Sequence, residues 1–390
     1  MIAHTLPSLL LRGKSLLPVV QGGMGVGISA HRLAGAVAAE GGIGTIASVD
    51  LRRIHQDLMC RTQTATRELI EHANLEALDR EIKAALESAK GMGVVAVNVM
   101  RAVTQYTDYV RQACRSGAQA IVVGAGLPLD LPDLVEDFKE VALIPILSDA
   151  RGVSLVVKRW MRKNRLPDAI VLEHPGWAGG HLGAANLVET GNQRFDMETV
   201  LPECVDALDK LGLKRGEIPL IAAGGVNSLS RIKELLGLGA SGVQVGTAFA
   251  VTQECDADPA FKRVLADAQP EDVVEFMSAA GLPARAVRTA WLERYLNREG
   301  LLQKAAECAA QGRVCSQRFD CLLQCGLRDK LAKFGQFCID KQLAAAQMGD
   351  VAQGLFFRGK GLLPFGNEIR PVRELLELLL TGRVASPVTR

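Results

Sequence analysis

Residues 218–247, IPLIAAGGVNSLSRIKELLGLGASGVQVGT, contain one complete folding unit. An apolar run, Ile218–Ala222, leads into Gly224-Gly225. An amphipathic stretch, Ser230–Leu236, follows, and a second apolar run, Gly242–Val245, leads into Gly246-Thr247. Runs that are apolar at nearly every position read as strands buried on both faces, as in a parallel sheet. Parallel neighbours need a crossover rather than a tight turn, and the amphipathic stretch supplies a helical one. The unit is a right-handed β–α–β crossover with glycines at the carboxyl end of each strand.

The same alternation extends back to the N-terminus. Apolar runs at Leu16–Gln21, Ile43–Ala47, Val94–Val99, Ala120–Val123, Leu143–Leu147 and Ala169–Leu172 bring the strands to eight. Helical patterns such as His31–Glu40, Thr104–Ser116 and Val153–Lys163 lie between them. Eight repeats predict an α/β protein of the closed (β/α)8 (TIM) barrel type, whose chemistry sits on the βα turns. Two connections exceed an ordinary crossover: Asp50–Gly91 has room for one or two extra helices, and Gly176–Gly216 forms an extended loop. From Cys255 the alternation stops, and Asp256–Met348 reads as helical throughout, an insertion or lid after the eighth strand. Ile369–Thr381 is strongly amphipathic around Pro371 and reads as the closing barrel helix. The expected division is a barrel at 1–254, a helical, cysteine-rich insertion at 255–350, and a C-terminal segment with the closing helix at 351–390.

Composition narrows the function classes. In 390 residues the formal net charge is +2, with no run of like charges, so nothing in the balance calls for nucleic acid. No stretch of 18 apolar residues offers a membrane span. The first fifteen residues lack the basic and apolar regions of an export signal, and the nine cysteines are an odd number, so reduced thiols and a cytoplasmic location are expected. Five of the nine, Cys308, Cys315, Cys321, Cys325 and Cys338, crowd into one segment. So grouped, they can hold zinc or an iron–sulfur cluster, or be small core residues and free thiols; no metal ligand is assigned.

Four motifs carry chemistry. Gln21-Gly-Gly-Met-Gly-Val-Gly-Ile-Ser29 follows the first strand and lets the backbone approach a ligand closely. Within it, Gly25-Val-Gly27-Ile-Ser-Ala30 mimics a dinucleotide fingerprint, with Asp50 near the ribose position, but the strand count exceeds a Rossmann half. Gly224-Gly225 and Gln244-Val-Gly-Thr247, after the last two strands, occupy the positions where barrels often bind phosphate with backbone amides; Thr247 adds a hydroxyl. Glu173-His-Pro-Gly-Trp-Ala-Gly-Gly-His-Leu-Gly183 sets His181 behind Gly179-Gly180 on a loop over the barrel mouth, where an imidazole can act as acid, base or donor. His174 reads as structural. Asn98, an amide inside an apolar strand, needs partners that a flavin or a neighbouring backbone would supply.

Together these motifs resemble the nitronate monooxygenase (2-nitropropane dioxygenase) family, which includes FMN-dependent enoyl-acyl-carrier-protein reductases. The resemblance rests on QGGMGVGIS, LAGAVAAEGGIGT (Leu33–Thr45), VNVM at Asn98, GAGLP (Gly124–Pro128), AGGHLG, AAGGV and GVQVGTAF (Gly242–Phe249). Met348-Gly-Asp350 and Gly354-Leu-Phe-Phe357 are similar to the family's closing segment. The resemblance implies bound FMN, with contacts at Gly23, Met24, Asn98, Gly179, Gly180, Gly224, Gly225, Gln244, Val245, Gly246 and Thr247, and His181 as the catalytic residue. Members commonly carry Gln or Glu seven residues before that histidine, where this chain has His174; Glu173, one step earlier, is taken as the matching contact. The expected activity is oxidation of alkyl nitronates with O2. The alternative is an NAD(P)H-dependent reductase of enoyl thioesters or quinones, so the partner is a small molecule or an acyl thioester. A homodimer is the expected assembly. A non-enzymatic flavin sensor fits less well, because it would not need His181.

Overall fold

A computed structural model of the chain describes residues 2–313, 315 and 317–384. The chain opens with an antiparallel hairpin, β1 (Leu9–Leu11) and β2 (Lys14–Leu16). Its two-residue turn, Arg12-Gly13, has both residues at positive φ, +49° and +79°, as this tightest hairpin connection requires. Then come β3 (Val19–Gln21), β4 (Ile43–Ala47), β5 (Val94–Met100), β6 (Ala120–Gly124), β7 (Ala142–Leu147) and β8 (Ile170–Glu173). After a two-residue strand, β9 (Gly180–His181), the series ends with β10 (Leu220–Ala223) and β11 (Gly242–Val245). All but β1, β2 and β9 are parallel and close in the order β3-β4-β5-β6-β7-β8-β10-β11. The fold is the α/β TIM barrel that the strand count predicts.

Alternation along each strand builds two cores. Val20, Val94, Ala96, Val122, Ile144 and Val171 point into the barrel, and Leu9, Leu11 and Leu16 of the hairpin join them. Val19, Val95, Val97, Ile121, Val123 and Leu172 point outward into the layer shared with the helices. Period-two side-chain placement with both faces covered explains why the strands read as continuous apolar runs. Leu16 leaves the predicted first strand because it belongs to the hairpin; Pro18, lacking an N–H, marks the break. The helix His31–Ala39 lies so close to β4 that a Cβ on Gly44 would stand 1.8 Å from the Ala34 carbonyl oxygen. The connection 50–91 contains the helices Gln56–Thr62 and Arg67–Ala89. The helix Val372–Thr381 buries Val372, Leu375, Leu376, Leu379 and Leu380 and packs beside the helices Leu229–Gly237 and His31–Ala39, filling the last gap in the outer ring.

The expectation of helix throughout 256–348 is wrong. Helices Pro259–Asp267, Ala290–Leu296, Glu299–Cys308 and Ile339–Gln347 are present, but at the centre is an antiparallel hairpin, β12 (Val273–Met277) and β13 (Pro283–Val287). Residues 309–338 contain no helix among the described residues. Pro283 sits at the first position of its strand, where a missing N–H does least harm. The reason for the hairpin is tertiary: β13 also pairs with β9, so Arg285 lies opposite Gly180 and Ala284 opposite His181. A third apolar cluster, including Phe276, Ala284, Leu292, Tyr295, Phe337 and Leu355, supports this small sheet. No helix among the described residues is long and apolar enough to cross a membrane.

Candidate active site

A cavity of about 280 Å³ opens at the carboxyl ends of the barrel strands. Its wall includes every residue expected to contact FMN or act in catalysis: Gly23, Met24, Asn98, Glu173, Gly179, Gly180, His181, Gly224, Gly225, Gln244, Val245, Gly246 and Thr247. These come from the ends of five barrel strands, β3, β5, β8, β10 and β11, and the barrel brings them together. Gln21 shapes the entrance from beneath, its side-chain oxygen accepting from the Thr45 N–H at 2.8 Å and its amide donating to the Thr45 carbonyl at 3.1 Å. The glycines have steric work to do. A Cβ on Gly23 would sit 2.4 Å from the Asn98 Cβ, so no side chain fits there without displacing the asparagine. Gly224 and Gly225 take φ of +103° and +71°, the left-handed region that side chains avoid.

Two ionisable side chains face this space, Glu173 and His181. Burial pushes the His181 imidazole down to about 4, so it is neutral near pH 7. Its Nε2 is buried and has no hydrogen-bond partner, while the ring meets Phe357 edge-on at 5.5 Å. A buried polar nitrogen without a partner is costly unless a ligand completes it. Burial raises the Glu173 carboxyl to about 7, with Arg285 pulling the other way. Glu173 is thus the carboxylate on the cavity wall. His174, its neighbour, turns away: Nε2 lies 3.1 Å from Asp196, and Nδ1 accepts from the Gly176 N–H at 3.0 Å. The structural reading of His174 stands.

Sequence reasoning missed what stands behind the histidine. Arg285 on β13 is 1% exposed. Its Nη1 donates to the Pro175 carbonyl at 2.9 Å and to the Ala178 carbonyl; its Nη2 pairs with Glu275, which in turn accepts from the Thr190 hydroxyl at 2.6 Å. A guanidinium and two backbone pairings therefore fix the turn that presents His181. Arg285 ends the stretch Ser278–Arg285 (SAAGLPAR), which carries no recognisable motif; only the register of β13 against β9 gives it a role. The closing segment was also partly legible. Phe357 and Leu355 line the cavity, and the Gly359 N–H donates to the Thr247 hydroxyl at 2.9 Å. That approach needs glycine, since a Cβ on Gly359 would lie 2.8 Å from the Trp177 carbonyl oxygen.

The sequence model of the nitronate monooxygenase family matches residues 10–382. The chain belongs to the nitronate monooxygenase family. It is an enzyme, an oxidoreductase. A "probable nitronate monooxygenase" of Bacillus subtilis (strain 168) is 29% identical over 291 residues, covering 71% of this chain and 78% of that one. A protein of Mycobacterium tuberculosis (strain ATCC 25618 / H37Rv), described as a 5-hydroxy-7a-methyl-1-oxo-octahydro-1H-indene-4-carboxyl-CoA dehydrogenase, is 28% identical over 279 residues, covering 71% and 64%. Among solved structures, FabK from Thermotoga maritima superposes with a TM-score of 0.62 at 21% identity, covering 93% and 91%. Nitroalkane oxidase from Streptomyces ansochromogenes gives 0.63 at 19% identity, covering 93% and 94%. At those identities the two structures speak for the barrel alone.

Proposed function

We propose that the cavity binds FMN and that the enzyme oxidises alkyl nitronates with O2. The partnerless Nε2 of His181, buried over a glycine-lined wall, carries this reading. The residues present fit the cofactor. Gly224, Gly225, Gly246 and Thr247 form a neutral cradle for a phosphate, and no lysine or arginine among the described residues lines the cavity. Gly23, Met24, Asn98, Glu173, Gly179, Gly180, Gln244 and Val245 are positioned to hold the remainder. When bound, FMN supplies the two-electron chemistry that no side chain can.

The chain's own groups do the rest. His181, neutral above about pH 4, holds the reacting end of the nitronate at Nε2, or takes the carbon proton there when the parent nitroalkane enters instead. Glu173 keeps its proton up to about pH 7 and can donate to a nitronate oxygen. Phe261, Leu343, Leu355 and Phe357 keep water from the reacting atoms.

A second reading is an NAD(P)H-dependent reductase of enoyl thioesters or quinones, favoured by a wall that among the described residues carries no lysine or arginine to meet an anionic nitronate. One assay separates the two. The yellow holoenzyme is mixed without oxygen with propyl nitronate or with NADH, and the visible flavin band is followed. Bleaching by nitronate alone supports the first reading; bleaching by NADH replaces it with the second. Protein that is colourless and takes up no added FMN defeats both.

A further inference from the structure

The cysteines of the insertion have no place in the chemistry above, and their arrangement is unusual. Cys315, Cys321, Cys325 and Cys338 follow a C-x5-C-x3-C-x12-C spacing and are free thiols. Packing brings them together: Cys321 and Cys325 lie against the third apolar cluster, whose members Phe337 and Ile339 flank Cys338. Arg53 bonds both Gln317, two residues after Cys315, at 2.7 Å and Asp340, two residues after Cys338, and so draws the two ends of the segment to one place. The mutual charge effects among the four thiols agree with that proximity. Cys308, fifth in the sequence cluster, is exposed at the end of its helix.

The segment that carries them is itself an anomaly. Residues 309–338 have no helix among the described residues, although irregular stretches of more than roughly 15 residues are uncommon in a compact domain and mark function or disorder. This one is tied down. Thr104 donates to the Cys321 carbonyl at 3.3 Å and Leu323 to the Ala102 carbonyl at 2.9 Å. The Cys325 N–H donates to Asp329 at 2.8 Å, Gly326 donates to the Ala279 carbonyl at 2.8 Å, and Arg328 reaches the carbonyls of Leu322 and Leu323. Cys338 stands at the N-cap position of the helix Ile339–Gln347 and makes no side-chain capping bond. Among the described residues this stretch buries Phe319, Leu322 and Phe337 but leaves Leu323 exposed, so a further staple would help to order it.

We propose that Cys315, Cys321, Cys325 and Cys338 hold an iron–sulfur cluster beneath the lid hairpin. Four cysteine thiolates are the usual ligand set for such clusters. A single zinc ion fits less well. It needs all its sulfurs about 2.3 Å from one point. Among the described residues no three Cys, His, Asp or Glu side chains gather that closely. A cluster takes its sulfurs at separate corners, further apart. Packing alone accounts for Cys321 and Cys325, which lie against the third apolar cluster, but not for the convergence of Cys315 on them.

The position gives the site meaning. The helix that begins after Cys338 carries Leu343 on the cavity wall, about 7.5 Å further along its axis. The loop at Ala102–Thr104, bonded to Cys321 and Leu323, directly follows the strand whose Asn98 and Met100 face the same cavity. A one-electron group here stands just behind the wall of the active site.

The test uses full-length protein purified without oxygen, with iron, acid-labile sulfide, zinc and flavin measured on the same sample. Iron and sulfide in equal amounts, about two to four of each per chain, with a paramagnetic signal after dithionite, are expected. Cys321→Ala and Cys325→Ala should each lose more than nine-tenths of both, and Cys308→Ala should lose none. Cys315→Ser, outside the apolar cluster, gives the same readout should the buried variants fail to fold. Protein without iron and sulfide even after reconstitution with ferrous iron and sulfide overturns the proposal. So does stoichiometric zinc without sulfide, or iron loss in Cys308→Ala. Flavin content is scored separately, so a failure here and a failure of the FMN reading are distinguishable.

Discussion

The two ends of the barrel are built from the same eight strands and have opposite chemistry. At the amino ends, Leu9, Leu11 and Leu16 of the hairpin join the apolar cluster that fills the barrel. At the carboxyl ends the wall is glycine, amide and hydroxyl, with a neutral histidine and a carboxyl that share no partner. Parallel strands all point one way, so the floor can be optimised for packing while the mouth carries groups that cost stability. The contrast makes distinct claims about each end.

The floor should respond only in stability. Leu9→Ala, removing a fully buried side chain, should lower unfolding free energy by about 3 kcal/mol in denaturant titration, with FMN affinity unchanged. Loss of flavin from a still-folded variant would break the separation of the ends. The mouth should respond only in function. His181→Ala removes a nitrogen that bonds to nothing, so the melting temperature should hold while turnover falls about 100-fold. Wild-type turnover would remove His181 from the mechanism. In the parent enzyme kcat/KM should lose activity as pH falls through about 4, where His181 gains its proton, and as pH rises through about 7, where Glu173 gives one up.

Two smaller effects sharpen the picture. The nearest atom to a Cβ on Gly246 is the Met24 sulfur at 3.9 Å, so Gly246→Ala should fold normally and project its methyl into the phosphate cradle. FMN affinity measured by fluorescence should drop about 30-fold, near 2 kcal/mol. Unchanged affinity would move the phosphate elsewhere. Arg285→Met should lower kcat about tenfold with KM little changed, since Arg285 orients the histidine turn without facing the cavity. Arg285→Lys, able to make only part of the fork, should recover part of it. A rise in KM alone would make Arg285 a binding residue instead.

The barrel was legible because burial on both faces writes itself into sequence as uninterrupted Val, Ile and Ala, and because the glycines mark the strand ends. The candidate site was legible for the same reason: its members sit in the last residues of a barrel strand or within eight residues after one. What sequence hid is the lid hairpin. Val273-Val-Glu-Phe-Met277 is short and half-buried, lies among strong helix patterns, and becomes a strand through its pairing with β13, whose other edge is held by Gly180 and His181. The N-terminal hairpin carries a cue of its own, a glycine-containing two-residue turn between apolar positions, but its three-residue strands are too short to stand out against the crossover pattern.

One further consequence follows from the register of β13 against β9. The imidazole rides on the rim of a sheet whose other members belong to the covering hairpin. The hairpin therefore sets where the imidazole stands as much as the barrel does, and a substitution that shifts β13 by one register would relocate the reactive nitrogen without touching the cavity wall.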